Sequence, residues 1–158
     1  MLSLIKRWRE RRILDRHPIA EADWRMALTG VPCLQRLSAS EQAHLRVLAT
    51  SLLHEKSLEP VHGLELTGAM AARLAALACL PILNLGLRWY RGWHAIVLYP
   101  DLFMPRREYM DEAGVVHRSH EVMEAEAWQR GPVILAWGGI AAAGTPPGHN
   151  VVIHEMAH

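Results

Sequence analysis

The sequence predicts an α+β fold, and three observations carry that prediction. Ser38 followed by Glu41 is a capping-box signature, and behind it Leu45, Leu48, Ala49, Leu52 and Leu53 recur at helical spacing. Residues 94–99 and 132–137 are short apolar runs of strand length, bounded by glycine and proline. Asn150 stands where a helix cap belongs, directly before Val151, Val152 and Ile153. Helices, then strands, then a further helix is an order that suits segregated rather than alternating elements.

Taken from the start, residues 1–16 hold six bases (Lys6, Arg7, Arg9, Arg11, Arg12, Arg16) against Glu10 and Asp15. Only Leu2, Leu4, Ile5 and Trp8 give this stretch an apolar side. Anionic lipid or RNA could attract such a segment, but a solvated helix or frayed arm is the plainer expectation. The expected organisation is a basic arm over residues 1–18 and one domain over residues 19–158. In residues 24–37 the Gly30-Val31-Pro32 break suggests a short helix and a turn. The capped helix that follows should end near Lys56, and residues 58–66 look extended around Pro60 and Gly63. Thr67 is a plausible cap for the next helix, with Met70, Leu74 and Leu77 on one face. Pro81 should end or kink it, because proline lacks the N–H and its ring clashes with the preceding turn.

Residues 94–99 read as a buried strand. Asp111-Glu112-Ala113-Gly114 looks like a turn, so the residues flanking it suit a hairpin. Residues 132–137 should form another strand, and residues 138–148, rich in glycine, alanine and proline, a loop.

Composition narrows the function classes. Just over half of the 158 residues are hydrophobic and about a fifth are charged, so the chain is globular rather than disordered. Its net charge of +1 gives no reason to expect a nucleic acid partner. The most hydrophobic stretch, residues 69–87, contains Arg73, Pro81 and Asn84, which excludes a membrane span there. Cys33 and Cys79 lie far apart without CxxC spacing, as in buried thiols of a reducing, cytoplasmic protein.

The chemistry is concentrated in His154-Glu155-Met156-Ala157-His158. On a helix, histidines four residues apart project from one face one turn apart, so both imidazoles can bind one zinc ion. Glu155, beside the first of them, is the candidate general base for a zinc-activated water, whose pKa the metal lowers to about 7. The dipeptide alone carries little weight, since His54-Glu55 and His120-Glu121 lack the second histidine. The competing reading of the pentapeptide is a chance pair of surface histidines. In zinc peptidases an edge strand before this helix can bind substrate backbone by strand addition, and residues 133–137 are the candidate.

Other residues carry less. His117 and His120 would face opposite sides of an extended hairpin. His149 is a loop residue beside the motif, and His94 a core or boundary residue heading a strand. Glu124 and Glu126 suit the wet face of a strand. No GxSxG, phosphate-loop or dinucleotide fingerprint is present.

The run from Gly148 through His149, Asn150 and Val151 to His158 resembles the metal-binding segment of the Mlc titration factor A peptidases. Cys79-Leu80-Pro81-Ile82-Leu83-Asn84-Leu85-Gly86-Leu87 resembles the leucine–proline helix end of that family. The runs Trp93-His94-Ala95-Ile96-Val97-Leu98-Tyr99-Pro100 and Gly131-Pro132-Val133-Ile134-Leu135-Ala136-Trp137 match two of its strands in order and spacing. The resemblance implies a cytosolic, zinc-dependent peptidase of aminopeptidase type with a zincin-like, gluzincin-related fold. It makes His154 and His158 zinc ligands and Glu155 the base, and puts the third ligand on a later helix as a glutamate. The chain is accordingly expected to be the amino-terminal portion of such a domain, cut off soon after the motif helix starts. Founding members also bind the glucose repressor Mlc. Two functions follow as expectations: hydrolysis of a peptide substrate, or a non-catalytic interaction protein that keeps the repressor-binding surface.

Overall fold

The computed structural model describes residues 2–100, 109–110, 116–117, 131–142 and 150–157. Helices α1 (Leu2–Arg16), α2 (Glu21–Leu28), α3 (Pro32–Gln35) and α4 (Ala39–Glu55) come first, followed by strand β1 (Ser57–Pro60) and helix α5 (Gly68–Cys79). Two 3₁₀ turns, Leu80–Ile82 and Leu87–Tyr90, lead into β2 (Ala95–Tyr99). Short strands β3 (Tyr109–Met110) and β4 (Val116–His117) precede β5 (Val133–Ala136), α6 (Trp137–Ala141) and α7 (Val151–Ala157). Helices with a small parallel sheet make this an α+β arrangement. Among the described residues no helix is long and apolar enough to cross a membrane.

Helix α5 is the centre of the molecule because its sequence is apolar nearly all round. Ala72 and every residue from Leu74 to Cys79 are fully buried. Helices α2, α4 and α7 all pack on it. Arg73, the charged residue within it, reaches out to the end of α2. Its Nη2 donates to the Thr29 carbonyl at 2.6 Å and its Nε to that of Ala27 at 3.2 Å. A cation on these carbonyls also suits the negative end of the α2 dipole. Thr67 caps α5 as expected, its Oγ1 accepting the Met70 N–H at 3.2 Å. Pro81 falls in the 3₁₀ turn that follows.

The capping box of α4 forms in both directions. Ser38 Oγ accepts the Glu41 N–H at 3.2 Å, and Glu41 Oε2 accepts the Ser38 N–H at 2.8 Å. The other end stops at Lys56, which is buried and donates from Nζ to the Tyr90 carbonyl at 2.5 Å and to the Trp93 carbonyl. Its burial pushes the ammonium below the ordinary lysine range, partly offset by Glu55. Tyr90 in turn donates to the Ala78 carbonyl at 2.6 Å, which locks the last turn of α5 to the segment entering β2.

The sheet has the order β1-β2-β5, all parallel, in the register Ser57↔Ala95 and Ile96↔Val133. Parallel neighbours need a crossover, and α5 with its 3₁₀ turns supplies the one between β1 and β2. Ile96, Leu98, Val133 and Leu135 alternate into the core, whereas Ile134 points out. Strands β3 and β4 pair antiparallel, Tyr109 with His117 and Met110 with Val116, as the hairpin reading requires. The turn at Asp111 to Gly114 lies outside the described residues.

Three expectations need correction. Residues 138–141 are not loop, and the strand does not extend through Trp137: α6 begins there. The Gly138 N–H goes to the Pro100 carbonyl at 3.2 Å, the Ala142 N–H closes a helical turn on Gly138 at 3.1 Å, and Ile140 becomes fully buried. Burial of Ile140 is the gain that a loop would not provide. His94 is also exposed rather than a core or boundary residue, and contributes its carbonyl, which accepts the Ser57 N–H at 3.0 Å.

Candidate metal centre

The local sequence dictates a helix start at Asn150. Its side-chain Oδ1 accepts the Ile153 N–H at 3.1 Å, and its carbonyl accepts the His154 N–H at 3.0 Å. The side chain thus satisfies one donor that the first turn leaves without an intrahelical partner, and the carbonyl accepts the first intrahelical bond. Val152 is fully buried and belongs to the core cluster, with Val151 and Met156 packed against it. These three side chains fix how α7 is rotated, and that rotation leaves His154 exposed and Glu155 half-buried. The first candidate ligand and the candidate base therefore stand on a helix anchored to α5, with an imidazole and a carboxylate at the boundary with solvent.

The approach to α7 is close-packed. A methyl group at Gly139 of α6 would lie 2.7 Å from Val151 Cγ1, well inside van der Waals contact. The α6 backbone thus sets the position of the first turn of the motif helix. In the sequence Gly139 is one glycine of a glycine-rich run, and nothing there sets it apart from Gly138. The β5–α6 junction is itself pinned to the end of β2 by the Gly138-to-Pro100 hydrogen bond.

The other candidates are not gathered here. His158, His120, His149, Glu124 and Glu126 lie outside the described residues, and His117 falls in β4. Among the described residues no group of three or more His, Cys, Asp and Glu side chains is placed to hold a metal. The strand read as a substrate-binding edge is β5, which pairs with β2 alone among the described strands. Its Ile134 side chain is exposed. Cys33 is half-buried and Cys79 fully buried; both are free thiols, and burial pushes the Cys79 thiol far up.

Comparison with known proteins gives a consistent result. Residues 5–158 match the family described as glucose-regulated metallo-peptidase M90. Mlc titration factor A of Klebsiella pneumoniae (strain 342) is 42% identical over 139 residues, covering 88% of this chain and 52% of that protein. The protein of the same name from Enterobacter sp. (strain 638) is 41% identical over 141 residues, covering 89% of this chain and 53% of the relative. That of Escherichia coli O7:K1 is 41% identical over 135 residues, at 85% and 51% coverage. The chain spans about half the length of these curated relatives.

Proposed function

The chain belongs to the glucose-regulated metallo-peptidase M90 family, and from that premise we propose that it contributes the base and two metal ligands of a cytoplasmic, zinc-dependent peptidase of aminopeptidase type. In this reading His154 and His158 hold the zinc, and Glu155 accepts a proton from the attacking water. The domain of residues 19–158 carries the site, and residues 1–18 form a basic arm. The observation that supports the reading best is the rotation of α7. Val152 and Met156 take the core side, which leaves the His154 imidazole exposed, where a ligand must be. A residue four positions further along a continued helix would share that face. When bound, zinc supplies a Lewis acid that polarises the scissile carbonyl and lowers the pKa of water to about 7. Glu155, next to the first ligand and half-buried, is the residue that would take that proton. The edge of β5, paired with no other strand among the described residues, suits an extended peptide laid alongside the sheet. The third ligand would be the glutamate of a later helix that the family resemblance implies.

A second reading rests on the name borne by the relatives, Mlc titration factor A. It takes the chain as a non-catalytic interaction protein that binds the repressor Mlc or an equivalent. One set of measurements separates the two. Zinc retained after dialysis should fall in His154→Ala and in His158→Ala. Glu155→Gln, in the protein as its gene encodes it, should keep zinc and lose most peptide hydrolysis, because an amide cannot take the proton. Equal zinc in wild type and both histidine variants would remove the metal assignment. Undiminished hydrolysis by Glu155→Gln would remove the base.

A further inference from the structure

Seven large apolar side chains are exposed among the described residues, and three of them are Leu4, Ile5 and Trp8. They are 67%, 59% and 61% exposed, so nothing among the described residues covers them. All three lie on α1, where spacings of three and four residues bring Leu4, Ile5 and Trp8 onto one face. Arg12 lies one turn beyond Trp8 on that face, with its guanidinium 5.1 Å from the centre of the indole ring. The other side of the helix is occupied: α1 rests on α4, Ile13 is buried and Leu14 half-buried. Arg9, Arg11 and Arg16 are exposed as well. The helix therefore presents a short apolar patch of Leu4, Ile5 and Trp8, set among arginines with Asp15 also exposed, in a stretch with six bases and two acids.

We propose that this face of α1 docks on an anionic phospholipid surface. The helix lies in the headgroup plane, Leu4, Ile5 and Trp8 enter the acyl boundary, and the arginines engage phosphates. Each part of the patch has a place there. Tryptophan favours the interface, because its ring is apolar and its N–H finds water or headgroup oxygen. Arginine lays its methylenes along apolar surface while its charge stays with the phosphates. With 15 residues the helix is about 22 Å long, too short to span a bilayer but suited to lying on one. Nucleic acid would satisfy the arginines equally well and would leave Leu4 and Ile5 in water. That difference selects lipid.

The test is flotation of the whole protein with vesicles of phosphatidylcholine containing phosphatidylglycerol, compared with phosphatidylcholine alone. Binding is expected only to the anionic vesicles, weakening as salt is raised. Arg9→Gln/Arg12→Gln should bind roughly 30-fold less, at about fivefold per removed cation. Leu4→Ser/Ile5→Ser/Trp8→Ser should lose binding by on the order of a hundredfold. All five positions are exposed, so circular dichroism and melting temperature should match wild type and exclude misfolding. Three results would overturn the proposal. One is equal flotation with neutral and anionic vesicles, or with neither. Another is wild-type binding by the serine variant, which would leave only diffuse charge attraction. The last is tight binding of single-stranded RNA with no binding to anionic vesicles, which would assign the arginines to nucleic acid.

Discussion

Replacing Gly139 by alanine sets two effects of opposite sign against each other. Glycine to alanine within a helix gains up to about 1 kcal/mol, and less in a helix as short as α6. The new methyl would meet Val151 Cγ1 at 2.7 Å, whereas carbon atoms pack at about 3.5–4.0 Å. The shortfall is about 1 Å. Valine in a helix is nearly confined to one rotamer, so Cγ1 cannot simply swing away and the first turn of α7 must move. Overpacking of this kind costs about 1–3 kcal/mol, so the clash wins and Gly139→Ala should destabilise by about 1 kcal/mol. Val151→Ala removes the offending atom. In that background Gly139→Ala should turn neutral or slightly stabilising, giving a coupling of about 1–3 kcal/mol. Urea melts of wild type, both single variants and the double variant measure this cycle. A 1 Å shift of α7 should also weaken zinc retention in Gly139→Ala, with recovery in the double variant. Equal stabilisation by Gly139→Ala in both backgrounds would mean that the α6–α7 contact is loose and that Gly139 does not set the helix position.

Other perturbations have clear expectations. Asn150→Ala removes the acceptor for the Ile153 N–H and should cost about 1 kcal/mol in urea melts, whereas Asn150→Asp keeps that acceptor and should cost much less. Lys56→Met leaves the Tyr90 and Trp93 carbonyls without their donor and should lower stability by about 2–4 kcal/mol, even after relief of the buried charge; a loss below about 0.5 kcal/mol would show that these bonds carry no net weight. Cys79 should resist iodoacetamide in the native protein, being fully buried with its thiol pushed far up, and should react only on unfolding, while half-buried Cys33 reacts earlier. Glu21 is held below its ordinary value of 4.5 by the hydrogen bond and charge of Arg46, whose Nη1 lies 2.5 Å away. Its contribution is present above pH 4.5 and is lost as pH falls through the lowered value. The stability difference between wild type and Glu21→Gln should therefore be constant near neutrality and close only in stronger acid.

Local rules made the helical half of the fold legible. Ser38 and Glu41, Thr67 and Asn150 each announce a helix start through an acceptor placed for a nearby backbone N–H, and each makes that bond. Pro81 marks the end of α5 for an equally local reason. The sheet was legible only as strands. Nothing within residues 57–60 or 95–99 states that they pair parallel, because the pairing is decided by where α5 crosses over. Residues 138–141 read as loop for a related reason: Ile140 looks like a lone apolar residue in a glycine-rich run until the core it fills is known. For the candidate site, the motif supplied His154 and Glu155 at once, whereas Gly139 was visible only through its distance to Val151.

The parallel sheet also sets an order of events. Its partners are far apart along the chain: Ser57 and Ala95 are separated by 38 positions, and Ile96 and Val133 by 37. Long loops must close before such ladders return any energy, whereas α4 and α5 are separated only by residues 56–67. The α4–α5 pair can therefore assemble first and serve as a template on which β2 and then β5 are laid. Helix α7 leans on α5 but is positioned through α6, which follows β5, so it completes its setting last. By the same ordering it can detach without unfolding the rest. The histidine and glutamate of the motif then ride on a late-forming element, and a ligand that grips them would act on folding as a late clasp rather than as a nucleus.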